Sequence, residues 1–292
     1  MSVRELTAEL VSSPAADFGE GPLWDDTEGV LWWTDIVGSA VHRYDPRSGT
    51  DTRIDVERTV GAIALRASGG LVVAARGGFG ALALDGTIEL LAAVNDEDPS
   101  MRMNDGKCDR AGRFYASTMA FAATPGVGEL VRMDSDRSVH VQDKALTIGN
   151  GLAWTADGSR LYFVETMSGG VDVFDVDVVT GDLSNRRRAF DIPAEAGLPD
   201  GMCIDDEGAL WVAMWQGGAV RRYSPAGDLL AVVNLPVSNV TCPAFAGPGL
   251  DQLWITTAAP RHADSAADEP LGGALFRVDP GVTGPPPAPY RG

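Results

Sequence analysis

Four oxygen-bearing side chains stand directly before a glycine at the head of a short apolar run: Glu20-Gly21, Asp105-Gly106 (with Asn104 ahead of it), Asn150-Gly151 and Asp200-Gly201. Singly, each reads as turn chemistry, because Asp-Gly and Asn-Gly are ordinary turn dipeptides. Gathered in one place they would do something else. Carboxylates brought together without a counter-ion repel one another and force a proton on. A divalent cation is the simplest remedy. Two carboxylates, Glu20 and Asp200, with the amide oxygen of Asn150 make a hard donor set that suits Ca²⁺, Mg²⁺ or Mn²⁺ and tolerates Zn²⁺ or Fe²⁺. Three protein ligands leave positions open for water and substrate. The bland alternative is an acidic channel mouth that holds only water.

The elements that could gather these residues form an internal repeat. Its unit is a residue before Gly, an apolar strand, a turn, a second strand rich in Trp, Tyr or Val, small residues, and a third strand ending in a turn. The first copy runs from Glu20-Gly21 through Leu31-Trp32-Trp33 to Tyr44-Asp45-Pro46; the others start near Val60-Gly61, Asp105-Gly106, Asn150-Gly151, Asp200-Gly201 and Cys242-Pro243. The period is about 40–50 residues, the size of a four-stranded propeller blade. Fourth strands such as Thr87-Ile88-Glu89-Leu90-Leu91 fall between copies. Asp85-Gly86, Asp157-Gly158 and Glu207-Gly208 read as plain hairpin turns.

The expectation is therefore an all-β, single-domain, six-bladed β-propeller over residues 1–292. The strand at residues 5–11 is left over ahead of the first copy, and the sixth copy lacks an outer strand, so the two can close the ring and remove the open edges. In that fold the residue before the first glycine of each copy points to the common axis. Two stacked β-sandwiches, the competing architecture, would not repeat one layout six times. The loop at residues 261–271 and the Pro-rich tail at residues 281–292 read as mobile surface segments.

Composition narrows the partners. The 292 residues carry a net charge of −18 and 45% hydrophobic content, a folded profile that disfavours nucleic acid and anionic membrane as partners. No basic-then-apolar leader opens the chain and no run reaches the ~20 apolar residues of a membrane helix. Cys108, Cys203 and Cys242 show no CxxC pattern, so reduced thiols in a cytoplasmic protein are expected. His42, His140 and His262 are isolated and read as structural or surface residues. No GxSxG elbow is present, which favours direct attack by water over a serine nucleophile.

Four segments carry a family resemblance: Gly19-Glu20-Gly21-Pro22-Leu23-Trp24-Asp25, Arg102-Met103-Asn104-Asp105-Gly106-Lys107, Asn150-Gly151-Leu152-Ala153-Trp154 and Pro199-Asp200-Gly201-Met202-Cys203-Ile204-Asp205. In this order, over nearly the whole chain, they resemble the regucalcin/gluconolactonase family of sugar lactonases. The resemblance implies a six-bladed propeller with one axial divalent cation, Ca²⁺ first among the candidates. It implies that Glu20, Asn150 and Asp200 are its ligands, that Asp200 is also the catalytic acid/base, and that Arg102 and Asn104 bind substrate; Asp105 is grouped with them. The implied reaction opens an aldonolactone to an aldonic acid. A phosphotriesterase-type hydrolase and a calcium-binding propeller without turnover are the alternatives. Where some members place an acidic residue after a Thr-Met pair, this chain has Thr118-Met119-Ala120-Phe121-Ala122, so its pocket has a different shape.

Overall fold

The structure, a computed structural model, describes residues 3–13, 15–260 and 269–292. Its strands form six sheets. Their innermost strands are Gly19–Asp25, Val60–Leu65, Met101–Cys108, Gly149–Trp154, Leu198–Ile204 and Val240–Ala246. Each of these meets the innermost strands of the blades on either side, so the six close a ring around one axis. The architecture is a six-bladed β-propeller. Two three-residue 3₁₀ turns, Thr166–Ser168 and Ala194–Ala196, are the helical segments among the described residues.

Burial explains how each blade is written. Second strands such as Val30–Asp35 and Leu71–Ala75 are buried along their length, because neighbouring blades cover both faces, and they read as continuous apolar runs. Outer strands such as Thr50–Asp55 are solvated and carry Thr, Asp and Arg, which also blunts a sheet edge. The core is accordingly divided into six hydrophobic layers, one between each pair of adjacent blades. Trp211 and Phe245 fill the layer between blades five and six; Trp33, Tyr44 and Trp254 fill the one that joins blade six to blade one. A fully buried side chain of this size contributes about 1.5–3 kcal/mol.

The ring closes at the N-terminal segment, in two pieces rather than one. Arg4–Thr7 lies parallel to Leu229–Asn234 as a fifth strand on blade five. Glu9–Leu10 then crosses to blade six and pairs antiparallel with Phe276–Val278, supplying the missing outer strand. Ala8 stands at the crossing, its N–H bonded to Asn234 O.

The C-terminal tail is not the mobile segment expected from its prolines. It is a strap laid across the end of the axis away from the head of the inner strands. Asp206 N donates to Thr283 O, Gly284 N to Leu250 O, Tyr290 N to Leu65 O at 2.7 Å, and Arg291 N to Gly112 O. Tyr290 is fully buried between blades two and three, and its hydroxyl donates to Asp134 O. Proline suits a strap that lies over other elements without joining a ladder. Of the loop expected to be mobile at residues 261–271, positions 261–268 (His262 among them) lie outside the described residues.

Candidate metal centre and active site

Every inner strand leaves regular pairing where it passes the head of the axis. One extra residue is inserted between Glu20 and Leu23, Met103 and Gly106, Gly149 and Leu152, and Pro199 and Met202. The same slip occurs at Val60/Ala62 and Val240/Cys242. A bulge of this kind turns a side chain away from the pleat and releases an N–H from the ladder. The preceding carboxylate takes that N–H up: Gly21 donates to Glu20 Oε2 at 3.0 Å, and Gly106 to Asp105 Oδ1 at 2.6 Å. The Gly201 N–H serves Asp200 in the same way.

Three of the glycines are required by close approach to the next blade, whereas Gly21 is required by its left-handed backbone, φ 53°. A Cβ on Gly61 would lie 2.3 Å from Asn104 O; on Gly151, 2.4 Å from Met202 Cβ; on Gly201, 2.5 Å from Cys242 Sγ. Inner strands of adjacent blades touch there, and no side chain fits between them. This is the physical meaning of the repeated residue-before-glycine pattern.

Glu20, Asn104, Asp105, Asn150 and Asp200 are all buried at the axis, each 4–5% exposed. A chain of hydrogen bonds links blades three and four. Arg102 Nη1 donates to Asn104 Oδ1 at 2.7 Å and to Met103 O; Asn104 Nδ2 donates to Asn150 Oδ1 at 3.0 Å and to Gly149 O. Asn150 Nδ2 donates in turn to Thr166 Oγ1 at 2.8 Å. Asn104, expected on the substrate side, thus has its amide engaged in positioning Asn150, while the half-buried Arg102 reaches toward the mouth.

Asp105 is placed differently from Arg102 and Asn104. It borders a cavity of about 130 Å³ that runs along the axis beyond the carboxylates, is shared with Lys107, Cys203 and Cys242, and is lined also by Pro285, Pro286 and Pro287 of the strap. Its Oδ2 is buried with no hydrogen-bond partner. Lys107 Nζ crosses from blade three to donate to Met202 O at 2.8 Å. This space lies behind the carboxylates, on the strap's side of them, and not at the solvent mouth.

The carboxylates hold one another in a costly state. Burial pushes Glu20 well above the ordinary carboxylate range, and the Asp200 and Asp105 charges push it further against the opposing effect of Arg102. Asp200 is raised well above its usual value by burial and then by Asp105, with Arg102 and the Gly201 N–H opposing. Burial also raises Asp105, against Lys107. Among the described residues no three His, Cys, Asp or Glu side chains form a metal-ligating group. A cation held here therefore needs the amide of Asn150 beside Glu20 and Asp200. The residues fit a cation in three respects. Their donors are hard oxygens, Asn150 Oδ1 keeps a lone pair beyond the bond from Asn104, and a divalent charge would relieve the mutual repulsion.

Several positioning residues are not marked by any motif. Asp35 accepts the N–H groups of Asp17 and Phe18 and so fixes the approach to Glu20. Glu165 does the same for Thr147 and Ile148 ahead of Asn150. The Thr241 hydroxyl donates to Gly19 O at 2.6 Å, tying blade six to blade one. Asp35 and Glu165 both end the second strand of their blade, so aligning the repeats at that position, and not only at the glycine, is the signal that would find them. His42 is structural as expected, stacked on Trp33 and bonded to Asp51. The three cysteines are buried and unpaired as thiols.

A six-bladed propeller with buried acid and amide groups at one end of its axis defines the class. The chain belongs to the SMP-30/gluconolactonase/LRE-like family, whose model matches residues 18–259. It is 38% identical to regucalcin of Xenopus laevis over 98% of this chain and 99% of that protein. The calcium-binding protein regucalcin of Agrobacterium tumefaciens superposes with a TM-score of 0.94 at 27% identity, over 100% of this chain and 99% of that one. A luciferin-regenerating enzyme superposes with a TM-score of 0.91 at 32% identity, over 98% and 99%. No helix among the described residues is long and apolar enough to cross a membrane.

Proposed function

We propose that this protein is a cation-dependent hydrolase that opens lactones, with aldonolactones such as gluconolactone or pentonolactones as the class its family points to. One observation supports the reading: Glu20, Asn150 and Asp200 are buried at the same inner-strand bulge of three separate blades, with an Arg102–Asn104 pair tied to Asn150. Glu20, Asn150 and Asp200 would hold the cation, Ca²⁺ first and Mg²⁺, Mn²⁺, Zn²⁺ or Fe²⁺ as alternatives. When bound, such an ion supplies Lewis-acid polarisation of the carbonyl, worth several kcal/mol.

The chain's own residues supply the rest. Asp200 removes a proton from the attacking water as its oxygen bonds to the carbonyl carbon. It then returns that proton to the ring oxygen as the ring C–O bond breaks, which leaves a hydroxy acid. A positioned carboxylate contributes roughly 10²–10⁴-fold to such an exchange. Arg102 orients the substrate at the mouth. Asn104 holds Asn150 in place and presents what remains of its polarity to the ring. Asp105 completes the negative field beneath them. Buried thiols agree with a reducing, cytoplasmic setting.

The second reading, a calcium-binding propeller without turnover, is supported by the name of the Agrobacterium relative. A panel of pentono- and hexonolactones, with an organophosphate triester beside it, separates the readings when assayed after chelation and again after single metals are restored. Lactone opening that is lost on chelation and regained with one metal is the expected result. Cation binding with no turnover would favour the second reading. Turnover of the triester alone would make the protein a phosphotriesterase.

A further inference from the structure

The floor of the site is polar, and beside Arg102 its rim carries a group of apolar side chains. Phe18, two residues ahead of Glu20, stacks on Trp215 with ring centroids 5.2 Å apart and planes 18° from parallel. Leu198, two residues ahead of Asp200, pairs in register with Trp215 and is 37% exposed. Met167 follows Thr166, the residue that holds Asn150, and is 59% exposed. Phe121, 52% exposed, lies 5.9 Å from the guanidinium carbon of Arg102.

Single exposed apolar residues need no explanation. These five differ in their placement. They come from four blades, all at the axial-site end; Phe121, Met167 and Leu198 are exposed and Phe18 and Trp215 half-buried, and all but Trp215 lie within two residues of a site group or in contact with one. Of the other exposed apolar side chains, Leu84, Val178 and Val179 stand at the opposite turns and Leu10 and Val141 on outer strands, while Val37 and Val127 share the site's end of the molecule. A fully hydroxylated sugar ring asks the rim for hydrogen-bonding side chains. Leu198, Met167 and Phe121 can offer none.

We propose that the preferred substrates are lactones bearing an alkyl or aryl substituent, with the ester at the polar floor and the substituent on the apolar rim. Phe121, Met167 and Leu198, with the Phe18–Trp215 pair, are its specificity-determining residues. This rests on the hydrolase reading above, and puts substituted lactones in place of the aldonolactones as its substrate class. A thioether and aromatic faces are suited to substituents of varied shape.

The test uses the full-length protein with Ca²⁺ and a series of γ-lactones that share one ring and differ in side-chain length, from γ-valerolactone to γ-nonalactone, with glucono-δ-lactone alongside. The expected result is a kcat/KM that climbs along the series, by about 10-fold or more from end to end, and exceeds that for gluconolactone. Phe121→Ser and Met167→Ser, both exposed positions, should flatten the climb, while Leu84→Ser on the opposite face leaves it unchanged. Lactones opened with no dependence on chain length, or gluconolactone opened fastest, would overturn the proposal and leave the hydrolase reading standing. If no lactone is opened, the hydrolase reading fails. Binding of the same series, followed by tryptophan fluorescence, then decides the rim: affinity must still rise with chain length, and a flat series refutes it.

Discussion

Glu20, Asp105 and Asp200 are each raised by burial, Glu20 further by both aspartates and Asp200 by Asp105, and Arg102 and Lys107 answer only in part. Each binds protons more tightly in the folded chain than in the unfolded one. Such groups contribute stability that is fully present below the unfolded carboxylate value and is lost as pH rises through the raised folded value. The cation-free protein should therefore show a Tm that falls on going from about pH 5 to about pH 8. Millimolar Ca²⁺ should flatten that fall by taking the place of the proton. Differential scanning fluorimetry with and without chelator measures both, and a chelated Tm that is flat or rises with pH would contradict the assignment. Among single residues, the sequence is informative where a residue type repeats against a glycine, since Glu20, Asn150 and Asp200 all announce themselves that way. It is silent on Lys107, whose reach across the axis to Met202 O depends on side-chain length and not on any motif.

The strands are legible in the sequence because blade position dictates composition: apolar runs inside, charged residues outside. The inserted residue in each inner strand is not, because a bulge changes pairing without changing hydrophobic pattern. The strap escapes the sequence for a related reason. Its prolines look like disorder, yet Tyr290 plugs the layer between blades two and three, and backbone bonds tie the segment to Leu65, Gly112, Asp206 and Leu250. Replacing Tyr290 by Ala should cost about 3–5 kcal/mol, the usual loss for a buried aromatic, read as a lower urea midpoint with unchanged slope. A midpoint shift near zero would mean that the tail is only resting on the surface. The same strap lines the axial cavity beside Cys203 and Cys242.

The whole molecule brings residues far apart in sequence to a single axis, which is why its chemistry is visible only through the repeat. Ring closure by Arg4–Thr7 and Glu9–Leu10 ties the first residues to the last two blades, so the floor of the site depends on the entire chain. A net charge of −18 accords with a molecule that draws cations and repels polyanions. Everything proposed for the site turns on Asp200 moving the proton in a ring opening that needs a cation. The kcat of Asp200→Asn on the best lactone at saturating Ca²⁺, beside the wild-type protein, decides this point. The expected result is a fall of at least about 10²-fold, in a protein whose Tm in chelator is equal to or above that of wild type because one buried charge is gone. A kcat within roughly threefold of wild type, too small for the loss of a general base, would contradict it.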